Sequence, residues 1–341
     1  IIVPFYNTPK IPTGTTWNSD GITFADNDTI GTTPWGIYID KNNRIYVPSR
    51  QYGRIHIWFP NGQNTTVNIS RSSSYAYATF VSSNGDIYVS SQYSSSSSYY
   101  IDKLTANSNG TTLVTTSTRL CFGLFIDNND VLYCSMPDYH QVVKRPLEST
   151  SSAWTSVAGV AGSYSSTSTY LYNPYGIFVD TNFDLYVADR TNNRIQLFNL
   201  GITTGITVVG SAAPGTITLY YPTGVSLDAD KYLFIVDQYN NRIVGSGPNG
   251  FRCLVGCSGS GSVLKSLVYP SSMAFDSHGN IYVTDRNNHR IQKFMSLNTT
   301  KSKKIELYEI FKFWGYFRSI LQYSKNAHRN NLGFGWNYVC R

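Results

Sequence analysis

Three aspartate–arginine pairs recur in the second half of the sequence, always five residues apart. They are Asp189 with Arg194, Asp237 with Arg242, and Asp285 with Arg290. A carboxylate and a guanidinium at such a spacing could exchange protons with a substrate or simply bind each other. The second and third copies have Ser91 and Met136 at the aspartate position, with no arginine following, whereas the first copy has Ser49 but keeps Arg54. Because both members are lost in the second and third copies, we interpret each pair as an ion pair that fixes a turn, worth about 0.5 kcal/mol if exposed.

A second group of aspartates could in principle hold a cation. Each of them follows a short apolar run and opens a polar turn: Asp40, Asp127, Asp180, Asp228 and Asp276. Aspartate is a common turn former, so we favour the turn role over a metal site. His140 and His289 lie on two different turns and are expected to be structural or solvated. The sequence has no G-x-S-x-G, Walker or H-E-x-x-H motif. We therefore predict no catalytic residue, no metal site and no cofactor.

Four of the five cysteines are spaced for two short-range disulfides. Cys253 and Cys257 lie four residues apart beside a Gly/Ser-rich loop. Cys121 and Cys134 flank a polar turn, and antiparallel pairing about that turn would bring them together. Four isolated buried thiols are the alternative. Cys340 is left over, and neither arrangement offers the converging ligands of a zinc site.

Five Asn-X-Ser/Thr triplets are candidate glycosylation sites. They begin at Asn27, Asn64, Asn68, Asn109 and Asn298. Together with two disulfides they favour an oxidising compartment, so we expect a secreted protein or a cell-surface ectodomain. The chain begins at Ile1 rather than at Met, so we expect further residues before it. No run of about 18 apolar residues predicts a membrane span.

These residues are carried by a unit that recurs six times. Each copy opens with a small residue: Gly36, Ala78, Gly123, Gly176, Gly224 and Ser272. Ten residues later each copy has an aromatic residue: Tyr46, Tyr88, Tyr133, Tyr186, Phe234 and Tyr282. The intervals of 42 to 53 residues match one four-stranded propeller blade. Short runs of Ile, Val, Tyr and Phe between polar turns are typical of strands.

The outermost strand of each blade is weaker in the sequence. Candidates are Thr65–Ser70, Thr111–Thr116, Thr155–Gly159, Ile206–Gly210 and Arg252–Gly256. The sixth copy has none, whereas Gly21–Ala25 precedes the first copy and resembles Gly205–Val209. We therefore predict an all-β fold, a six-bladed β-propeller closed by an N-terminal outer strand. The predicted organisation is a lead-in over residues 1–20, the propeller over 21–295 and a non-repeat tail over 296–341.

Two segments show which family the repeat resembles. Tyr186–Gln196, with the sequence YVADRTNNRIQ, and Tyr282–Gln292, with YVTDRNNHRIQ, look like NHL repeats. The resemblance covers about residues 21–295 and is closest in the last three copies. It implies a propeller that serves mostly as a binding platform. A few related propellers are enzymes, an amidating lyase or a lactonase, built around a metal in the central channel that His or carboxylate ligands hold.

The second turns of all six blades should lie on one face of such a propeller. They display Tyr, Arg, Asn and Gln, a mixture suited to protein and glycan recognition, although polar loops are also common without any ligand. The candidate binding residues are Arg50, Gln51, Tyr52, Gln92, Tyr93, Asp138, Tyr139, Arg190, Asn192, Gln238, Tyr239, Arg286 and Asn288.

Charge argues against nucleic acid as the partner. The chain has a formal net charge of +7, but eight basic and two acidic residues fall in the tail. Residues 1–295 carry 19 basic and 18 acidic groups, whereas nucleic-acid binding needs a concentrated basic face. Within the tail, Ile305–Tyr323 could form a basic amphipathic helix for a membrane surface or a partner. A disordered appendage and an erroneous end of the gene model are the alternatives.

The sequence therefore favours a non-enzymatic module that presents a propeller face to an unknown protein or glycan. A metal-dependent lyase or lactonase-like hydrolase that uses the central channel is the alternative.

Overall fold

A computed structural model of the protein describes residues 6–69, 74–93, 98–105, 111–117, 119–148 and 153–297. Of the sites predicted above, Asn109, Asn298, Cys340 and the possible helix Ile305–Tyr323 lie outside the described residues. No helix in the described part is long and apolar enough to cross a membrane.

The described residues form six antiparallel sheets of four strands each. Blade 1 has β2 (Tyr38–Ile39), β3 (Ile45–Ser49), β4 (Arg54–Trp58) and β5 (Asn64–Asn68). Blade 2 has β6 (Ser74–Val81), β7 (Ile87–Tyr93), β8 (Tyr99–Leu104) and β9 (Thr111–Ser117). Blade 3 has β10 (Gly123–Ile126), β11 (Val131–Met136), β12 (Gln141–Pro146) and β13 (Thr155–Gly159).

The second half repeats the arrangement. Blade 4 has β14 (Pro174–Val179), β15 (Leu185–Asp189), β16 (Arg194–Phe198) and β17 (Ile206–Gly210). Blade 5 has β18 (Pro222–Leu227), β19 (Leu233–Asp237), β20 (Arg242–Gly247) and β21 (Gly250–Val255). Blade 6 has β22 (Met273–Phe275), β23 (Ile281–Asp285) and β24 (Arg290–Phe294), and its outer strand is β1 (Ile22–Ala25). A single helical turn, α1 (Asn27–Ile30), follows β1.

The ring closes as the sequence predicts. β1 pairs antiparallel with β24, so that Ile22 lies opposite Lys293 and Thr23 opposite Gln292. The inner strand of every blade contacts the inner strand of the next, and β22 of blade 6 contacts β2 of blade 1. The predicted six-bladed propeller is confirmed, because an N-terminal strand completes the last blade and leaves no open edge there.

Close approach between blades explains the small residue that opens each repeat. A Cβ on Gly36, Gly123 or Gly176 would lie 2.6–2.7 Å from a backbone carbonyl oxygen of the following blade. Such a distance is far below van der Waals contact, so a side chain would push the inner strands apart. The small residues thus let the inner strands converge around the axis.

The first turn of each blade is built around its buried aspartate. The Asp40 Oδ1 atom accepts hydrogen bonds from the backbone N–H groups of Asn42 and Arg44, both at 2.9 Å. The equivalent aspartates of blades 3, 4, 5 and 6 make the same two bonds. These carboxylates therefore act as turn formers, as expected from the sequence.

The aspartates of the aspartate–arginine pairs are buried, so the value of about 0.5 kcal/mol expected for an exposed ion pair does not apply to them. Asp189 is 0% exposed and Arg194 is 3% exposed, and the Arg194 Nε atom lies 2.7 Å from Asp189 Oδ2. Asp237 and Asp285 are equally buried and bind their arginines at 2.8 and 2.7 Å. Burial raises the cost of breaking such a pair well above that of a surface pair.

A repeated contact explains why Asn or His follows the second turn. Residues His140, Asn193, Asn241 and His289 all have left-handed backbone, with φ of 54–57°. Their side chains accept hydrogen bonds from the loop that enters the next blade, at the backbone N–H groups of Asn173, Tyr221, Tyr269 and Thr33, over 2.8–3.2 Å. Asn and His combine tolerance of this backbone with a short acceptor. The two histidines therefore link blades and do not converge on a catalytic centre.

The lead-in covers the face that carries the first turns. Trp17 Nε1–H donates to the Gly279 carbonyl at 2.8 Å, and the Tyr6 hydroxyl donates to the Val179 carbonyl at 2.9 Å. Tyr6 and Trp17 are 5% and 7% exposed. This segment therefore packs into the propeller, and its aromatic side chains extend the core at the first-turn face.

Both disulfides occur in the structure. Cys121 is joined to Cys134, and Cys253 is joined to Cys257. The described sequon residues Asn27, Asn64 and Asn68 are exposed. Two disulfides fit an oxidising compartment.

Asp228 should make the stability of the propeller pH-dependent. Its Oδ2 atom has no hydrogen-bond partner among the described residues, because Phe234 stands where Tyr133 of blade 3 donates a hydroxyl to Asp127. Burial raises the pKa of Asp228 to about 6, against the opposing effect of two backbone N–H groups. A carboxyl whose pKa is raised on folding costs stability as the pH rises from about 4 to about 6.

Asp228→Asn keeps the oxygen that accepts from the turn and removes the titration. The variant should match the wild type near pH 3.5 and be more stable by about 1–2 kcal/mol above pH 6. Urea unfolding of both proteins across this range measures the difference. An equal pH dependence in the two proteins would show that Asp228 is not the group responsible.

Candidate functional site at the channel mouth

A cavity of about 140 Å³ runs along the axis between the inner strands. Tyr6 and Asn7 from the lead-in line it, and Asn7 Nδ2 donates to the Asp40 carbonyl at 2.6 Å. The Tyr6 ring contacts Phe125 and Phe178 edge to face at 5.0 and 5.5 Å. The lead-in therefore fills the channel at the first-turn end, and ligand access is left to the opposite end.

Four aromatic rings form the channel mouth at the second-turn face. They are contributed by successive blades, each from the residue before the small residue of the repeat: Trp35, Tyr77, Phe122 and Tyr175. Trp35, Phe122 and Tyr175 line the cavity, and the Tyr77 ring contacts Trp35 and Phe122. Phe122 stacks on Tyr175 at 4.6 Å, and Trp35 contacts Phe122 at 5.2 Å and Tyr175 at 6.2 Å. Thr223 and Ser271 hold the same position in blades 5 and 6. The mouth is thus aromatic on one side and hydroxylated on the other.

Three arginines from second turns lie over these rings. Arg286 stacks on Trp35 with its guanidinium carbon 4.0 Å from the ring centroid, and Arg190 stacks on Tyr175 at 4.8 Å. Arg50 lies 5.6 Å from the centre of Tyr77. Stacking on an aromatic face holds a guanidinium in place without neutralising its charge.

Several buried donors around the mouth have no partner in the described structure. They are Trp35 Nε1, Arg190 Nε, Arg286 Nε and Gln238 Nε2. Gln238 is only 2% exposed, and its Oε1 atom accepts from Arg190 Nη2 at 3.3 Å. Buried polar atoms are ordinarily hydrogen-bonded, so a group of unpartnered donors points to a binding site.

The three arginines at the mouth shift the pKa values of the groups around them. Burial lowers the pKa of Arg286, and the positive charges of Arg50 and Arg190 lower it further. Burial raises the pKa of Tyr175, an effect that Arg190 opposes and Asp138 reinforces. Arg286 is therefore close enough to both other guanidiniums to be repelled by them.

The predicted binding residues separate into two groups. Gln51, Tyr52, Asp138, Tyr139 and Tyr239 are exposed on the second-turn face. Arg50, Arg190 and Arg286 are partly buried over the mouth. Tyr93 is also partly buried, at the end of β7. Tyr52 and Tyr139 carry further stacked arginines, Arg54 at 4.7 Å and Arg119 at 5.0 Å.

The other amide residues are used within the fold. Asn192 and Asn288 donate to Asp189 and Asp285 at 2.8 Å, which braces the second turns. Gln92 accepts from the Tyr77 hydroxyl at 3.0 Å. The expectation that all of these side chains are displayed on the surface is wrong for Gln238. It is buried, because it packs beneath Arg190 at the mouth.

Sequence reasoning missed the aromatic members of the site. A signal was present, since four of the six repeats have an aromatic residue immediately before the small one. It also missed a cluster of tyrosines in blade 5, where the rings of Tyr220, Tyr221 and Tyr269 lie 4.7–5.2 Å from Tyr239. Arg190 lies 4.6 Å from the centre of Tyr221, so this cluster is continuous with the mouth.

The channel lining offers no side chain typical of a metal site. The residues around the cavity include no His, Cys, Asp or Glu. Among the described residues, no three such side chains lie together in an arrangement that could hold an ion. The metal-dependent alternative therefore has no candidate ligands in this part of the chain.

The family model of the NHL repeat matches residues 267–294, which span β22 to β24 and the turn that carries Arg286. The same order of four strands builds the other five blades, and the short helical turn that carries Arg286 recurs in blades 3, 4 and 5. The chain is an NHL-repeat β-propeller protein. No curated protein matches its sequence.

Solved structures share the propeller fold with this NHL protein. An auxiliary nutrient binding protein from Bacteroides thetaiotaomicron superposes with a TM-score of 0.60 at 15% identity, over 86% of this chain and 76% of that one. Virginiamycin B lyase from Staphylococcus aureus, solved with quinupristin, gives 0.56 at 13% identity, over 81% and 98%. A putative gluconolactonase gives 0.58 at 12% identity, over 86% and 98%. At these identities the likeness concerns the fold alone.

Proposed function

We propose that this protein is a secreted or cell-surface binding module that captures a protein or glycan ligand at its second-turn face, centred on the channel mouth. The observation that carries the proposal is the mouth itself, with stacked arginines, aromatic rings and unpartnered buried donors from several blades. The few residues that dominate the binding energy of known interfaces are enriched in Trp, Tyr and Arg.

Other features support a non-enzymatic role. The channel is lined by apolar, aromatic, hydroxyl and amide side chains, and the lead-in fills its far end. One protein with a similar fold is named as an auxiliary nutrient binding protein. The two disulfides and the exposed sequon residues support an extracellular location.

A screen against glycan and secreted-protein arrays tests the proposal. Tyr52→Ala, Tyr139→Ala and Tyr239→Ala remove rings that are 36–39% exposed on the second-turn face. We expect substitution of each tyrosine that contacts the screened ligand to weaken capture by about tenfold or more. Their stability should change by only about 0.5 kcal/mol, because these side chains lie on turns.

His278→Ala provides the matched control. This ring is 63% exposed on a first turn, at the opposite face. The control should capture the ligand as the wild type does. Unchanged capture by all three tyrosine variants, with loss of capture in the control, would place the binding site on the first-turn face and overturn the proposal.

A further inference from the structure

We propose that the channel mouth is an oxyanion site, which takes a carboxylate or sulfate group of the ligand between Arg190, Arg286 and Trp35. This inference rests on the proposed binding function and names the ligand chemistry that the mouth would recognise. It concerns a recessed site at the axis, which the exposed Tyr239 borders through its contact with Arg190.

The first argument is uncompensated positive charge. Arg50, Arg190 and Arg286 form no salt bridge with any described carboxylate, whereas Arg194, Arg242 and Arg290 are all paired. Trp35 and Tyr175 are neighbours, with ring centroids 6.2 Å apart, so the guanidiniums stacked on them sit on adjacent rings. An anion bound there would relieve the repulsion between them.

The second argument is the kind of hydrogen-bonding group left open. The four unpartnered atoms at the mouth, Trp35 Nε1, Gln238 Nε2, Arg190 Nε and Arg286 Nε, are all donors. The acceptor of Gln238 is already used by Arg190. A carboxylate or sulfate offers acceptors alone and so matches this set, whereas a hydroxyl also brings a donor that needs a partner.

The third argument is preorganisation. Arg190 lies between Tyr175, Tyr221 and Tyr239, at 4.6–5.7 Å from their centroids, and donates to Gln238. Arg286 lies 4.0 Å above Trp35. Guanidiniums held in this way lose little rotamer freedom on binding, which favours capture of a single small group.

The indole resonance of Trp35 can report binding directly. In a ¹⁵N correlation spectrum of the whole protein, Trp35→Phe identifies this signal by its disappearance. The probes are glucuronate and glucose 6-sulfate, each compared with glucose, and acetyl-aspartate amide compared with acetyl-asparagine amide. We expect at least one acid to shift the Trp35 signal at concentrations about tenfold below its neutral partner. The pair that responds shows whether a sugar acid, a sulfate ester or an acidic side chain is preferred.

Variants distinguish binding of the acid at the channel mouth from general electrostatic attraction to a positively charged protein. Arg190→Ala and Arg286→Ala should each weaken binding of the responding acid about tenfold or more. Arg286→Lys, which keeps the charge but not the planar fork, should weaken it less. Lys10→Ala removes one positive charge from the opposite face, where Lys10 pairs with Asp230, and should leave the affinity within about twofold. The indole signals of Trp17 and Trp58 check that every variant is folded, and Trp154, whose Nε1 is also unpartnered, should not move.

The outcomes for this inference and for the proposed function differ. If no acid binds better than its neutral partner, or if the arginine variants bind the acid as well as Lys10→Ala does, the oxyanion site is wrong. Loss of array capture in Tyr52→Ala or Tyr139→Ala would still support the binding module in that case. An acid response confined to the mouth, without any effect of Tyr52→Ala or Tyr139→Ala on capture, would support the oxyanion site and contradict binding over the rest of the second-turn face.

Discussion

Asp189→Ala should destabilise the propeller by about 3–5 kcal/mol, the range for breaking a buried ion pair from one side. The Asp189 carboxylate accepts from Tyr172 N and Asn192 Nδ2 at 2.7 and 2.8 Å, and from Arg194 Nε at 2.7 Å. Its removal leaves the Arg194 charge, which is 3% exposed, without a counter-ion. Urea or guanidinium unfolding of the purified variant measures the loss.

The same substitution in the other two blades provides a graded comparison. The arginine partners of Asp285 and Asp237 are 12% and 24% exposed. Water can solvate those guanidiniums better than that of Arg194. The loss of unfolding free energy should therefore be largest for Asp189→Ala, smaller for Asp285→Ala and smallest for Asp237→Ala. A loss below about 1 kcal/mol for Asp189→Ala would mean that the pair behaves as a surface salt bridge after all.

Removal of residues 1–25 should have the largest effect of any change considered, on the order of 5 kcal/mol or more, enough to unfold the domain. The deletion takes away β1, and with it the ladder along β24. It also removes Tyr6, Ile11 and Trp17, all less than 10% exposed. Tyr6 packs in the main core cluster, whereas Ile11 and Trp17 pack in a second cluster with Phe275 and Phe294 of blade 6. The deletion therefore opens both clusters, and blade 6 and the first-turn face should fail together.

A peptide added to the truncated protein shows whether the loss of stability comes from the missing strand and lead-in or from nonspecific misfolding. Addition of residues 6–30 as a synthetic peptide should restore thermal stability to the truncated protein, whereas a scrambled peptide of the same composition should not. Circular dichroism at rising temperature follows both. A truncated protein that melts like the wild type would contradict the role of β1 and the lead-in.

The period of the repeat was enough to predict the fold. Small and aromatic residues ten apart mark the inner two strands of every blade, because the same packing must recur around the axis. The outer strands were also predicted, and Thr155–Gly159 and Ile206–Gly210 have the bounds that the structure shows. The sequence could not show that Asp189 and Arg194 are buried. That property depends on the loop at Ser166–Tyr170 folding over the guanidinium, a contact 24–28 residues away.

The candidate site was only partly predictable, for a related reason. Turn residues such as Arg190 and Arg286 could be assigned to one face from blade topology. Their rings, Tyr175 and Trp35, belong to other segments of the chain, and the pairing depends on how neighbouring blades are rotated about the axis. Gln238 illustrates the limit, since a polar residue on a turn was expected at the surface and is buried at the mouth.

A crystal structure of the protein with a ligand from the array screen tests the central claim most directly. The account predicts the ligand on the second-turn face, within hydrogen-bonding distance of Arg190 or Arg286 and in contact with Trp35. A ligand seated on the first-turn face, or along the outer strands of the blades, would contradict it.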